Sequence, residues 1–322
     1  MNVKIEKMTA PVPGFEEILD WLAEIFGEGE KKLEYPQLSG AETSFNDDVI
    51  FKATDGGKIL GSVHVTIPRA DPTIAGVSAM FTTPEARGRG VGRIIFSEAI
   101  AYLDSIGVKT AFLGTGAPIA EKLYASLGFR YLYGSGVMFR STEGAPVDFY
   151  KRRFSSAPSR ITVAEGDCGM RIPIIPMALA GYGYTVYDSN LSIFNPNIIT
   201  QYSCMGLYPR YIACRAEGGS YFSAYDESGV LGAAASVVPD GTGEYSFDAF
   251  FHPSFEGAFP ELFDAALSFL DTRGISRSHI YMNIARCDLT KQELARSLGL
   301  SARAESVISK SNFYLHSDKY YL

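Results

Sequence analysis

Two rhythms of apolar and polar positions run through the first 140 residues. "VKIEKM" alternates as a strand does, whereas "GFEEILDWLAEIF" places Phe15, Ile18, Leu19, Leu22, Ile25 and Phe26 on one helical face, with Gly27 as a stop signal. "VIFKATDGGKILGSVHVTIP" reads as two alternating runs joined at Asp55-Gly56-Gly57, where glycine supplies the positive φ that a tight hairpin turn needs. The pattern continues with a strand "TIAGVSAMFT", a helix "VGRIIFSEAIAYLDSIG" closed by Gly107, a strand "KTAFLGTG", a helix "APIAEKLYASLGF" that stops at Gly128, and a bent hairpin "RYLYGSGVMFR". Hairpins interleaved with helices predict an α/β protein on an α+β mixed sheet.

Periodicity fades between Ser141 and Arg160, where "STEGAPVDFYKRRFSSAPSR" gathers Ser, Pro, Gly and charge, so residues 141–160 are expected to connect two domains, 1–140 and 161–322. The second half echoes the first. "GGKILGSVHVTIP" from Gly56 lies against "ESGVLGAAASVVP" from Glu227, a shift of 171, and "FTTP" ending at Pro84 lies against "FFHP" ending at Pro253, a shift of 169. "DSIGVKTAFL" from Asp104 meets "DTRGISRSHI" from Asp271 at a shift of 167, and "SLGF" from Ser126 meets "SLGL" from Ser297 at 171. Four landmarks in one order at nearly one offset indicate a duplicated fold.

The chain of 322 residues is long enough for two cores. Its 36 acidic and 29 basic residues give a net charge of -7, which argues against nucleic acid as a partner. The four cysteines, Cys168, Cys204, Cys214 and Cys287, form no close pair, so reduced thiols and no structural metal are expected. No apolar run approaches the ~20 residues of a membrane span and the start lacks a signal-peptide core, which points to a cytoplasmic protein without a membrane partner.

Candidate chemistry concentrates in "PEARGRGVGRIIF", where Gly88, Gly90 and Gly92 alternate with Arg87, Arg89, Val91 and Arg93 before a helix. The first N–H groups of a helix lack intrahelical partners and carry partial positive charge, and glycine lets an anion approach them closely. The stretch is not G-x-x-x-x-G-K-[ST], nor does it have the dinucleotide fingerprint. It resembles the acyl-CoA loop of the GNAT superfamily of N-acyltransferases, [RQ]-x-x-G-x-[GA], through Arg87, Gly90 and Gly92 after the lead-in "TPEA". A second signature, A-x-x-L-Y-x-x-x-G-F, is matched by Ala120, Leu123, Tyr124, Gly128 and Phe129. The resemblance covers residues 1–140 closely and the second half faintly.

The resemblance implies two tandem GNAT-like acyl-CoA N-acyltransferase domains, with coenzyme A pyrophosphate cradled from Arg87 to Arg93. The pantetheine arm would lie between "AGVSAMFT" and "KTAFLGTG", near free backbone groups at Phe81 and Thr82. Tyr124 matches the general acid for the departing thiolate, and the Thr82 N–H would polarise the carbonyl. One departure is Ala117, where an Asn often stands. The base is left open among His64, the acids Glu42, Asp47 and Asp48, ordered water and the C-terminal carboxylate. In the second half "SFEGAFPEL" replaces the glycine loop and Ala295 replaces Tyr124, so this copy is expected to be degenerate, without acyl-CoA. Its tyrosines, Tyr182, Tyr184, Tyr187, Tyr202, Tyr208 and Tyr211, either wall an acceptor pocket or form a core connection. The implied activity is transfer of acetyl from acetyl-CoA to a primary amine, small or lysine-like, by direct attack in a ternary complex without metal. The alternative is an acyl-CoA-binding regulatory protein without turnover. Acceptor identity, acyl-chain preference and oligomeric state are not legible.

Overall fold

The hairpin expected at Asp55-Gly56-Gly57 forms. Strands β2 (Asn46–Asp55) and β3 (Lys58–Pro68) pair antiparallel across it, and Gly56 and Gly57 take φ of 58° and 87°. The structure is a computed structural model that describes residues 2–132, 135–155, 157–311 and 313–322. It divides into two units, the first comprising Met1–Leu132, Gly136–Phe149 and Tyr202–Met205, the second Tyr133–Ser135, Tyr150–Gln201 and Gly206–Leu322.

In the first unit β1 (Lys4–Thr9) precedes helices α1 (Phe15–Phe26) and α2 (Glu28–Leu38). After β3 come β4 (Ile74–Thr82), α3 (Val91–Ser105), β5 (Thr110–Gly114), α4 (Pro118–Ser126), β6 (Arg130–Tyr131) and β7 (Val137–Ser141). The sheet order is β1-β2-β3-β4-β5-β7-β6, antiparallel except between β4 and β5. Both faces are covered, which explains the unbroken apolar run in β2. Val49 and Phe51 turn to one core with Ile95 and Phe96 of α3, and Ile50 turns to another with Ile18 and Leu22 of α1. Helix α2 escapes a reading by periodicity because "EGEKKLEYPQL" is mostly polar and contains Pro36; its inward face is Glu34, Gln37 and Leu38, held by polar partners on the sheet.

The stretch expected to be an irregular connection contains a helix, α5 (Pro146–Arg153). Asp148 accepts a bond from the Ala145 N–H at 3.1 Å, and Phe149 buries its ring 5.9 Å from Phe112 and 5.6 Å from Phe139. A local cap and one aromatic anchor thus order a segment whose composition reads as a linker. The Tyr133 and Gly134 part of the expected bent hairpin lies outside the described residues.

The second unit contains β8 (Ile161–Glu165), α6 (Ile174–Leu179), β9 (Val186–Asp188), β10 (Ile193–Phe194), α7 (Tyr208–Ala216), β11 (Ser220–Asp226), β12 (Leu231–Pro239) and β13 (Tyr245–Phe251). They are followed by α8 (Ala258–Thr272), β14 (Ile280–Ala285), α9 (Leu289–Ser297), β15 (Ser301–Lys310) and β16 (Phe313–Tyr321). Its seven-stranded sheet runs β15-β16-β14-β13-β12-β11-β8, with β13 and β14 parallel. Read from β8, this is the strand order of the first sheet, including the exchange of the last two strands. The offset text therefore corresponds to a repeated topology. No helix among the described residues is long and apolar enough to cross a membrane.

Candidate active site

The glycine loop opens onto α3. Gly88 and Gly90 have φ of 70° and 80°, and a β-carbon built on either meets nothing within 4 Å. Gly90 is the N-cap, and the first N–H of the turn to donate is Ile94, to the Gly90 carbonyl at 3.0 Å. Among the described residues, the six N–H groups from Gly88 to Arg93 donate to no acceptor in the chain. This is a row of donors at the positive end of a helix, with its surface left bare, and it fits a pyrophosphate. Gly92 serves another purpose: its β-carbon would come to 2.7 Å from Thr82 Oγ1, so its lack of a side chain lets α3 start close to β4.

The three arginines differ. Arg87 Nε donates to the Thr82 carbonyl at 3.1 Å and its guanidinium lies 5.3 Å from the centroid of the Phe81 ring, so Arg87 fastens the loop to the end of β4. Arg89 and Arg93 are exposed.

Strands β4 and β5 pair only through Ile74–Thr110, Ala75–Ala111 and Gly76–Phe112. Beyond Gly76, β4 keeps its ladder with β3 while its other edge is uncovered by β5, so the two strands splay apart. A bulge between Ser62 and His64 in the β3 register coincides with Ala79, whose φ is 47°. The Thr83 N–H turns toward β3, donating to the Leu60 carbonyl at 2.8 Å. Adjacent backbone groups of a strand point to opposite sides, so the Thr82 N–H faces the open edge. The Thr82 carbonyl is already engaged by Arg87.

Tyr124 lies on α4, buried, with its ring 4.9 Å from that of Phe96 and 6.3 Å from that of Phe129. Burial pushes its phenol up to about 12. A thiol ionises near ~8.5, so complete transfer of this proton to a thiolate runs uphill, and the hydroxyl is better suited to hydrogen-bond the departing sulfur.

The residues left open as bases are placed differently from one another. His64 is fully buried, its Nδ1 2.6 Å from Glu34 Oε2 and its Nε2 3.1 Å from Asp48 Oδ1. Burial alone would lower its pKa, but Glu34 and Asp48 outweigh that and raise it to about 10. His64 is thus an imidazolium with no lone pair to offer at neutral pH. Thr66 Oγ1 donates to Asp48 at 2.7 Å, and Ser78 Oγ to Glu34 at 2.9 Å. Asp47 faces outward on Arg69 at 2.6 Å, Glu42 accepts from Asn46 at 3.3 Å, and the Leu322 carbonyl oxygen accepts from Arg303 at 3.0 Å. Glu34 had no signal in the sequence because its partners come from two strands.

The corresponding region of the second unit is filled by its own chain. β13 and β14 pair only at Tyr245–Ile280 and Ser246–Tyr281, and the segment from Thr185 occupies the opening. Asp288, which stands where Ala117 does in the first copy, accepts from the Thr185 and Val186 N–H groups at 2.7 and 3.0 Å. Lys291, counterpart of Ala120, donates to the carbonyls of Val186 and Tyr187 at 3.0 Å each and to Asp248 at 2.6 Å, fully buried. Tyr187 stacks on Phe250 at 5.1 Å. Tyr184, Tyr187, Tyr208 and Tyr211 are buried in this unit, the core alternative of the two readings. Tyr202 is exposed and belongs to the first unit, against Gly114 and Gly136, where a β-carbon would approach it at 3.0 and 2.6 Å.

Residues 15–129 match the family described as Acetyltransferase (GNAT) family. No curated protein matches the chain. Among solved structures the chain is similar to a GNAT-family acetyltransferase from Staphylococcus aureus Mu50, at 17% identity, covering 43% of this chain and 99% of that one, with a TM-score of 0.35. It is also similar to the putative acetyltransferase yncA from Salmonella typhimurium, solved with acetyl-CoA, at 17% identity, 50% and 92% coverage and a TM-score of 0.37. A spermidine N-acetyltransferase SpeG chimera from Vibrio cholerae and hSSAT is similar at 14% identity, 51% and 95% coverage and a TM-score of 0.39. With the glycine loop and Tyr124 both inside the matched span, residues 15–129 are a domain of the GNAT acetyltransferase family.

Proposed function

We propose that the first unit transfers an acetyl group from acetyl-CoA to a primary amine by direct attack in a ternary complex. The observation that carries this is the row of unengaged N–H groups from Gly88 to Arg93, ending beside the open edge of β4 that bears the Thr82 N–H. The loop holds the pyrophosphate, with Arg89 and Arg93 adding charge and Arg87 keeping the loop in place. Bound there, the thioester supplies an activated acyl group and a stabilised leaving group. Thr82 N–H donates to the acyl carbonyl oxygen, and Tyr124 donates to the sulfur.

The second unit takes no acyl-CoA in this reading, because Thr185 to Tyr187 occupy the opening between β13 and β14 and the side chains of Asp288 and Lys291 are spent on that segment. Calorimetric titration of acetyl-CoA tests both parts. The wild type is expected to bind one equivalent, and Gly90→Glu none, since its carboxylate would sit among the phosphate donors. No binding by the wild type sinks the acyl-transfer reading, and two equivalents sink the account of the second unit. Release of free thiol with an amine present separates an enzyme from a regulatory binder.

A further inference from the structure

The proposed reaction lacks a group that takes the proton of the incoming amine, and α2 supplies one. Gln37, Glu34 and Glu30 are spaced by three and four residues and share one helical face. Gln37 Oε1 lies 3.0 Å from Thr66 Oγ1, and Thr66 is the cross-strand partner of Gly76; Glu34 accepts from Ser78, the partner of His64. One turn toward the start of α2 therefore advances two residues along β4. Beyond Glu30, Phe26 at the end of α1 packs on Phe81 at 5.7 Å between centroids. Glu30, the next position on this face, therefore continues the line from Gln37 and Glu34 in the direction of the Phe26–Phe81 contact, with Glu34 and His64 as its charged neighbours.

Resting on the acetyl-transfer reading, we propose that Glu30 receives the ammonium group of a primary alkylamine acceptor and removes its proton. The Glu30 carboxylate takes one proton from the ammonium and passes it to water. The freed nitrogen forms a bond to the acetyl carbon as the carbon–sulfur bond breaks. The second proton shed by the nitrogen goes to the sulfur beside the Tyr124 hydroxyl, so the products are the amide, the thiol and one proton.

The surroundings suit the task. Glu30 is half-buried, facing Glu34 on its own helix and His64 on β3, with Asp48 of β2 behind His64; on the outer side Lys31 is paired with Asp20 of α1. The two carboxylates around the imidazolium leave one net negative charge, which favours a cation beside Glu30. Burial, then Glu34, push the Glu30 carboxyl up to about 7, against His64, which lowers it. A base near neutrality works on an ammonium of pKa ~10.4 without becoming inert at physiological pH.

The test compares wild type, Glu30→Gln and Glu30→Asp. Calorimetry with acetyl-CoA is expected to give equal affinities in all three, which keeps this proposal apart from the cofactor site. Thiol release is then followed from pH 5.5 to 9 with 1,4-diaminobutane, N-α-acetyl-lysine and tyramine. The expected result is an acid limb near pH 7 in the wild type, its loss with a fall of roughly 10²–10⁴-fold in kcat/KM for Glu30→Gln, and partial rescue by aspartate. An acid limb that persists in Glu30→Gln overturns the proposal, as does a wild type that binds acetyl-CoA and consumes none of these amines. A wild type that fails to bind acetyl-CoA overturns the reading beneath it instead.

Discussion

A β-carbon on Gly92 would lie 2.7 Å from Thr82 Oγ1, so the first turn of α3 and the last residue of β4 are in contact through a missing side chain. Gly92→Ala is expected to cost about 1–3 kcal/mol by overpacking and to weaken acetyl-CoA binding, because the helix start must shift. The double variant with Thr82→Ala removes the obstructing oxygen and should regain most of both. Gly90→Ala has free space but a φ of 80°, so its cost is the left-handed strain of about 1–2 kcal/mol and Thr82→Ala gives it no relief. Urea unfolding of the four variants would show the contrast, and equal rescue of both glycines would refute it.

Tyr124→Phe removes a hydroxyl whose raised pKa has burial as its only cause. Stability and acetyl-CoA affinity should therefore change little, while thiol release falls by roughly 10²-fold or more. Since the phenol sits near 12, no basic limb from this residue should appear below about pH 11. A variant with full turnover would remove Tyr124 from the mechanism.

His64 between Glu34 and Asp48 makes stability depend on pH. Its folded pKa of about 10 lies above the usual 6.5, so its contribution is complete below pH 6.5 and is lost as pH rises through about 10. The advantage of wild type over His64→Gln should shrink by on the order of 3 kcal/mol between pH 6.5 and 9, at about 1.4 kcal/mol per unit. Denaturant unfolding at the two pH values measures it. An advantage that grows with pH would mean the imidazole is neutral.

Lys291 and Asp248 are a buried ion pair, 2.6 Å apart, that closes the opening in the second sheet. Lys291→Met leaves the Asp248 charge uncompensated and should cost about 3–5 kcal/mol, while adding Asp248→Leu restores part of it. Thermal unfolding of the single and double variants checks this. A neutral single variant would show that the segment from Thr185 does not depend on the Lys291–Asp248 pair.

Local patterning by itself determined most strands and helices of the first unit, the hairpin at Gly56-Gly57, the offset repeat and the glycine loop. Each depends on residues close together in the chain: alternation, helical spacing, or glycine where φ must be positive. It also contained the motif on which Tyr124 stands. Helix α2 was not legible, because its inward face is polar and gains its partners only when Thr66, Ser78 and His64 arrive from two strands. The same holds for Glu30, whose charged neighbours Glu34 and His64 come together only when that helix meets the sheet. The division of labour among the loop residues, with Gly92 for packing, Arg87 for tethering and Gly88 and Gly90 for an open backbone, required knowing what each faces. The closing of the second copy was hidden for the same reason. Asp288 and Lys291 share the start of α9, but Asp248 and the segment from Thr185 to Tyr187 are distant in the chain, and only the tertiary structure brings them together, where burial makes each bond necessary.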